Sequence, residues 1–390
     1  MNKTLKKICV VTGTRAEYGL LSSLLRELKA DKQIELQIVA TGMHLSPEFG
    51  MTVKEIEEDG FQINKNIEIL LSSDTSVGVC KSMGLGMISF AEIFQELLPE
   101  VIIVLGDRFE IFAAVSTALI SQIPVAHIHG GELTEGAFDD SIRHSITKMS
   151  HIHFVATEEY RRRVIQLGEE PGMVFNVGAL GIDNIKNSNL FNKEQLEDSI
   201  NFKLGKKNIL VTFHPVTLEN NNSINQFKEL LKALGELEDT HIIFTKANAD
   251  TNGRSLNAMV DSFVDKNPDT SVAFTSLGKI RYLSTLQFID GVVGNSSSGL
   301  IEAPSFHIGT INIGNRQKGR IKADSVIDCE ADYKSIKKSL EKLYSEDFSK
   351  LLLDVKNPYG NGGASVKIAN HIKNISYENI LNKKFNDIHV

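Results

Sequence analysis

Five short polar clusters interrupt the apolar runs of this chain, and each carries residue types suited to anion binding or proton transfer. Gly13-Thr14-Arg15-Ala16-Glu17-Tyr18-Gly19 sets a glycine turn and a guanidinium where a helix is about to begin, which suits a phosphate. Its glycines do not follow G-x-G-x-x-G, so no nicotinamide cofactor is indicated. Gly294-Asn295-Ser296-Ser297-Ser298-Gly299 is a run of small and hydroxylated residues ahead of a helical stretch containing Glu302. Backbone N–H groups of such a loop can approach a pyrophosphate, and Glu302 can accept from ribose hydroxyls. In Phe213-His214-Pro215 a histidine ends an apolar run, with a proline that stops the strand. Gly106-Asp107-Arg108 ends a fully apolar strand in a carboxylate and a guanidinium, and an Asp so placed can be tuned as a proton acceptor. The densest cluster is His127-Ile128-His129-Gly130-Gly131-Glu132, followed by Asp139-Asp140-Ser141-Ile142-Arg143-His144.

Each cluster also has a plainer reading. Thr14, Asp139 and Asp140 suit helix caps, and Asp107 can simply pair with Arg108. Strand alternation puts His127 and His129 on one face, with His151 and His153 close by in sequence. A zinc site therefore has to be weighed, but no third ligand stands at a recognised spacing. Asp107, Glu132 and Asp139 fit an acid/base set better. His44, in Thr41-Gly42-Met43-His44, and Arg316, in Asn315-Arg316-Gln317-Lys318-Gly319-Arg320, end further apolar runs. Together these residues describe a site rich in cations and amides, suited to a diphosphate.

The elements that must position them alternate along the chain. Strands are predicted at 8–12, 36–41, 101–106, 125–128, 152–156 and 174–177, with helices at 18–28, 83–98, 110–121, 140–150 and 158–167. After the polar segment 183–206, read as an inter-domain connection, strands are predicted at 209–213, 241–245, 271–274, 291–293 and 310–313. Helices fall at 226–237, 255–265, 279–288, 335–343 and 365–375. Continuous apolar strands separated by helices mean parallel sheets covered on both faces. The expected fold class is α/β, two doubly wound Rossmann-like domains facing a cleft. Residues 1–184, joined by a C-terminal helix in 365–390, form one domain and 185–364 the other. In such sheets ligands bind beyond the carboxyl ends of the strands, where all five clusters fall.

The 390 residues exceed what one core usually serves. A net charge of −7 argues against a nucleic-acid or anionic-membrane surface, so an anionic ligand must be met by local Arg, His and backbone amides. Cys9, Cys80 and Cys329 lie far apart and suit a reducing compartment. No signal-peptide pattern and no run near the ~18–20 apolar residues of a membrane helix is evident, so a cytoplasmic protein is expected.

The motifs at 13–19, 41–44, 106–108, 130–132 and 139–144, with His214, 295–299 and Arg316, resemble in this order those of the hydrolysing UDP-N-acetylglucosamine 2-epimerases. The likeness runs over almost the whole chain. The non-hydrolysing 2-epimerases share the fold but typically carry Gly-Thr-Arg-Pro-Glu in place of Gly-Thr-Arg-Ala-Glu, and lack the 139–144 pattern. The resemblance implies a GT-B-like architecture. It implies UDP contacts from Arg15, Gly19, Arg108, His214, Asn248, Leu277, Ser296, Ser297, Glu302 and Arg316, with His44 and Arg143 also counted among the binding residues. Acid/base residues would be Asp107 and Asp139, with His214 a further catalytic candidate. Many relatives carry a catalytic Glu where this chain has His129, so either His129 or Glu132 takes over that proton transfer. The implied reaction releases N-acetylmannosamine and UDP without metal or redox cofactor, in sialic acid synthesis. The same reaction on UDP-N,N'-diacetylbacillosamine, or a glycosyltransferase of the same fold, stays open. The only partners implied are the UDP-sugar, UDP and further copies of the chain, as a homodimer or homotetramer.

Overall fold

The computed structural model describes residues 5–71, 75–134, 138–215, 223–247 and 253–388. The chain divides into two compact units. The first comprises Met1–Glu132, Phe138–Asn184 and Tyr359–Val390, and the second Leu133–Ala137 and Ile185–Pro358.

The first unit is built on seven parallel strands: β1 (Lys6–Thr12), β2 (Ile34–Thr41), β3 (Lys65–Ile67), β4 (Val101–Leu105), β5 (Val125–Ile128), β6 (Ile152–Val155) and β7 (Val174–Asn176). Their order is β3-β2-β1-β4-β5-β6-β7. β4, Val-Ile-Ile-Val-Leu, is buried along its whole length, because a parallel strand covered on both faces has no polar side to offer. Val10, Ile103 and Ile128 pack on one face with Leu21 and Leu25 of helix Arg15–Ala30. Val11, Ile102 and Val104 pack on the other with Phe90 and Phe94 of helix Ser76–Leu97 and Ala114 of helix Phe109–Ile120. Each such side chain contributes about 1.5–3 kcal/mol on full burial. Leu105 pairs with Ile128, so the turn that carries Asp107 emerges beside the turn that carries His129.

The second unit repeats the plan with β8 (Lys207–Thr212), β9 (Thr240–Thr245), β10 (Ser271–Phe274), β11 (Gly291–Gly294), β12 (Gly309–Ile313) and β13 (Val326–Cys329), in the order β10-β9-β8-β11-β12-β13. Thr212 pairs with Gly294, and Gly294 with Asn312, which sets the loops after β8, β11 and β12 side by side. A Cβ at Gly294 would lie 1.9 Å from the Thr212 carbonyl oxygen, so only glycine fits there.

The division between the units falls between Asn184 and Ile185, inside the segment 183–206 read as the inter-domain connection. That segment holds the end of helix Leu180–Asn187 and the whole of helix Lys193–Ile200, the latter opened by a capping box between Asn192 and Gln195. Two expected helices need correction. The helix expected at 83–98 begins at Ser76, which makes it 22 residues, long and apolar enough by length and composition to cross a membrane. The helix after the 294–299 loop, Ser298–Ile301, is a single turn, so its dipole is small and anion binding there falls to backbone N–H groups and side chains. The short strands β3 and β13 escaped the apolar-run criterion altogether.

The chain returns to the first unit through helix Ala364–Asn374, which packs with helix Arg15–Ala30. Asp183, 1% exposed, fixes that return. Its Oδ1 accepts from the N–H groups of Gly363 (2.6 Å) and Ala364 (3.1 Å), and its Oδ2 from the N–H (2.6 Å) and the hydroxyl of Ser365. A carboxylate over unpaired N–H groups at a helix start is favoured by both hydrogen bonding and the dipole. Asp183→Ala is expected to lower the stability of the first unit by about 2–4 kcal/mol in urea unfolding, because buried donors lose their partner. It should also speed proteolytic loss of the C-terminal segment.

Candidate active site

At the end of β4, Gly106 turns the chain in the left-handed region (φ +81°) and presents Asp107 and Arg108. The Asp107 carboxylate pairs with Arg143, which reaches it from helix Asp139–Met149 and is itself 4% exposed. Burial works against the Arg143 charge, but the carboxylates of Asp107, Glu132 and Asp140 outweigh it and raise the guanidinium above its ordinary range. At the end of β5, His129 takes φ +67°, a left-handed conformation that costs a non-glycine residue of order 1 kcal/mol. Its Nδ1 stands 3.1 Å from Glu132 Oε1, and both side chains are buried. Gly131 lets that turn close, since a Cβ there would lie 2.6 Å from the Tyr160 carbonyl oxygen. His129 Nε2 and the Nε and Nη1 groups of Arg143 are buried without a hydrogen-bond partner in the protein, the mark of polar groups kept for something else. Asp139 opens helix Asp139–Met149 partly buried, and Asp140 lies 3.5 Å from His144.

The other histidines have structural partners. His127 Nε2 lies 2.8 Å from the Gly106 carbonyl oxygen, which can only accept, so Nε2 carries the proton and Nδ1 faces the Thr147 hydroxyl at 3.1 Å. Burial pushes His127 down to about 3, so it ties β5 to the Gly106 turn as a neutral ring. His151 Nδ1 accepts from the Val125 N–H (3.2 Å), and His153 Nε2 meets Glu169 at 2.9 Å. With those nitrogens engaged, no three His, Cys, Asp or Glu among the described residues form a metal-holding group. His44, expected as a binding residue, is fully buried, with Nε2 3.0 Å from the Thr12 hydroxyl and Nδ1 2.9 Å from that of Thr52. Burial pushes it down to about 4, and neither ring nitrogen is left for a ligand. Arg15 pairs with Glu55 at 2.9 Å, and Arg108 Nε lies 3.3 Å from Glu110. Gly19 has open space where a side chain would stand.

In the second unit His214 follows β8 after Phe213, and burial, reinforced by Arg316, pushes its imidazole down to about 3. Ser296 and Ser297 occupy the loop after β11, ahead of Glu302 and close in sequence to Tyr282's partner Ser298. Arg316 follows β12 and donates to the Asn295 carbonyl (3.0 Å). Leu277 is buried in the core and offers only its backbone, at the start of helix Gly278–Thr285. Asn248 lies outside the described residues.

Sequence reasoning missed a pair of acids beneath the first unit's turns. Glu17 Oε2 accepts from the Gly13 N–H at 2.7 Å, Glu110 Oε2 holds Arg108, and the Oε1 atom of each is buried without a partner. A Cβ on Gly42 would come within 2.9 Å of Glu110, so glycine makes the room this carboxyl occupies. Burial, then the neighbouring Glu110, pushes Glu17 up to about 8. The available signal was Glu110 itself, the one charged residue in the apolar helix Phe109–Ile120.

Comparison with known proteins gives the chain's relatives. Residues 26–373 match the family model described as UDP-N-acetylglucosamine 2-epimerase. The chain is 47% identical to the GDP/UDP-N,N'-diacetylbacillosamine 2-epimerase (hydrolyzing) of Campylobacter jejuni, over 98% of this chain and 99% of that one. It is 41% identical to the polysialic acid biosynthesis protein P7 of Escherichia coli, over 98% of each. Among solved structures it shares its fold with the UDP-GlcNAc 2-epimerase of Neisseria meningitidis bound to UDP-GlcNAc, with a TM-score of 0.79, 17% identity, and coverage of 95% of this chain and all of that one.

The Glu17 shift has a defined sign. A carboxyl raised from 4.5 to about 8 by folding is neutral in both states at low pH, and its stabilising share is lost as pH rises from about 4.5 through 8. Glu17→Gln keeps an acceptor for Gly13 and removes the charge. Chemical denaturation should show the variant gaining on the wild type as pH rises from 5 to 9, then levelling. A difference independent of pH would show that Glu17 is ionised throughout.

Proposed function

Because the chain belongs to the UDP-N-acetylglucosamine 2-epimerase family, we propose that it is a hydrolysing 2-epimerase converting UDP-N-acetylglucosamine and water to N-acetylmannosamine and UDP. One observation carries this reading: Asp107 and the His129–Glu132 pair stand at the ends of adjacent strands with the buried Arg143 drawn to their carboxylates. That is equipment for moving more than one proton at the sugar itself, whereas transfer to an acceptor hydroxyl calls for at most one base. A base takes the proton from C2, its electrons form the C1–C2 double bond, and the C1–O bond breaks as UDP leaves with the bonding pair. Water then adds to the resulting 2-acetamidoglucal, hydroxyl to C1 and proton to C2 from the opposite face. Asp107, His129 or Glu132, and Asp139 are the proton carriers in this scheme. Arginine and amide donors offset the charge that develops on the departing diphosphate. His214, Ser296, Ser297, Glu302 and Arg316 are proposed to hold the nucleotide.

A second reading, the same reaction on UDP-N,N'-diacetylbacillosamine, is favoured by the activity for which the Campylobacter relative is named. Turnover of the two UDP-sugars side by side in D₂O tests both points. The preferred substrate should give a free sugar carrying deuterium at C2, and a product without it would mean direct hydrolysis of the sugar–phosphate bond. Asp107→Asn should lower kcat about 100-fold or more while leaving UDP affinity within a few fold.

The chain is also proposed to act as a homo-oligomer. Helix Ser76–Leu97 buries a narrow stripe of Gly78, Ser82, Gly86, Phe90 and Phe94 and leaves Val77 62% and Ile88 64% exposed. So apolar an outer face suits a self-association surface. Ile88→Asp is expected to shift sedimentation toward the monomer, and an unchanged profile would move the interface elsewhere.

A further inference from the structure

His214 is half-buried with its ring Nδ1 buried and unpartnered, so nothing bonded to that nitrogen fixes where the imidazole points. Its backbone is fixed instead. Asn295, the residue after β11, accepts from the His214 N–H through Oδ1 (2.7 Å) and donates to the His214 carbonyl through Nδ2 (2.8 Å). The Asn295 carbonyl in turn accepts from Arg316 Nη1 (3.0 Å) and from Gln317 Nε2 (2.8 Å). Its own N–H donates to Thr212 (3.1 Å). Asn295 and Gln317 are each 1% exposed, which shields the Asn295 ends of these bonds from water. One residue thereby joins the loops that follow three neighbouring strands, β8, β11 and β12.

We infer that Asn295 is the positioning residue of the nucleotide site, holding His214 and Arg316 in the arrangement that meets the diphosphate. The inference rests on the reading that this unit binds UDP. The side-chain clamp needs one donor and one acceptor on a short stem. Aspartate has the length without the donor, leucine has neither, and glutamine is a methylene too long. The backbone half of the hub survives any substitution, so variants here loosen His214 selectively and leave Arg316 its acceptor. Because the side chain touches no reacting atom in this scheme, its loss should appear in binding rather than in chemistry.

Asn295→Asp makes the test, because its carboxylate keeps the acceptor and regains a donor only when protonated. At pH 8 it should bind UDP about tenfold or more weakly than wild type by calorimetry, the scale of a lost buried hydrogen bond, with a matching rise in KM and a smaller change in kcat. Lowering the pH toward 5 should narrow that gap relative to wild type measured at the same pH, whereas Asn295→Ala should stay weak throughout. Gln317→Leu, which removes one bond to the Asn295 carbonyl and spares the clamp, should weaken UDP by a few fold at every pH. It reports on the hub even if the Asn295 variants fail to fold. Wild-type UDP affinity in both Asn295→Asp and Gln317→Leu, with wild-type protein binding UDP, overturns the inference. So does a loss in Asn295→Asp confined to kcat. Wild-type protein that does not bind UDP overturns the proposed function itself.

Discussion

A parallel sheet that grows outward from its first strand in both directions must change direction somewhere, and at that point the loops on either side part. Both sheets here make that change beside their first strand, between β1 and β4 in one and between β8 and β11 in the other. The turns that carry Gly13 and Asp107 leave from the first reversal, and those that carry His214 and Asn295 from the second. The chemistry of both units depends on this constraint. Hydrogen-bond register within the sheet fixes where each turn begins, and short cross-links such as His127 to Gly106 and Asn295 to His214 fix where it goes next.

Charge is handled differently in the two units. The first concentrates carboxylates and answers them with one buried guanidinium, Arg143, which Asp107, Glu132 and Asp140 all influence. Sharing matters, because a buried cation with a single counter-charge is stranded when that partner changes, whereas this one keeps others. The second unit places a neutral histidine beside Arg316 and surrounds both with amides and hydroxyls. An acidic protein can so receive an anion without a large basic surface, by turning local dipoles and one cation toward it.

The alternation of strands and helices was legible because buried parallel strands read as unbroken apolar runs, as Val101–Leu105 does. The polar clusters were legible for the converse reason, since they begin where those runs stop. What escaped depended on tertiary approach. Residues 76–82 fell outside the helix expected at 83–98 because Gly78 and the serines are weak helix formers. Gly78 and Ser82 lie on the helix's buried stripe, and further along it a Cβ on Gly86 would come within 3.2 Å of Ala113. His44 sits at a strand end, but Gly42 turns at φ +59° and a short 3-10 helix folds the ring back between Thr12 and Thr52. Asn295 was visible only as one polar residue in a loop, because its partner lies 81 positions away. Glu17 and Glu110 resembled ordinary first-turn acids until the glycines around them proved to be the walls of their burial site.

The Asp183 clasp on Gly363, Ala364 and Ser365 bears on the order in which a newly made chain can fold. On the ribosome the seven strands of the first unit emerge early, but the helix that covers part of their core lies within Tyr359–Val390. The second unit, ending at Pro358, has its whole sequence available sooner. The unit whose strands are made earlier is therefore completed after the other, and its core must wait, partly uncovered, for about as long as synthesis of the second unit takes, on the order of ten seconds or more at cellular elongation rates.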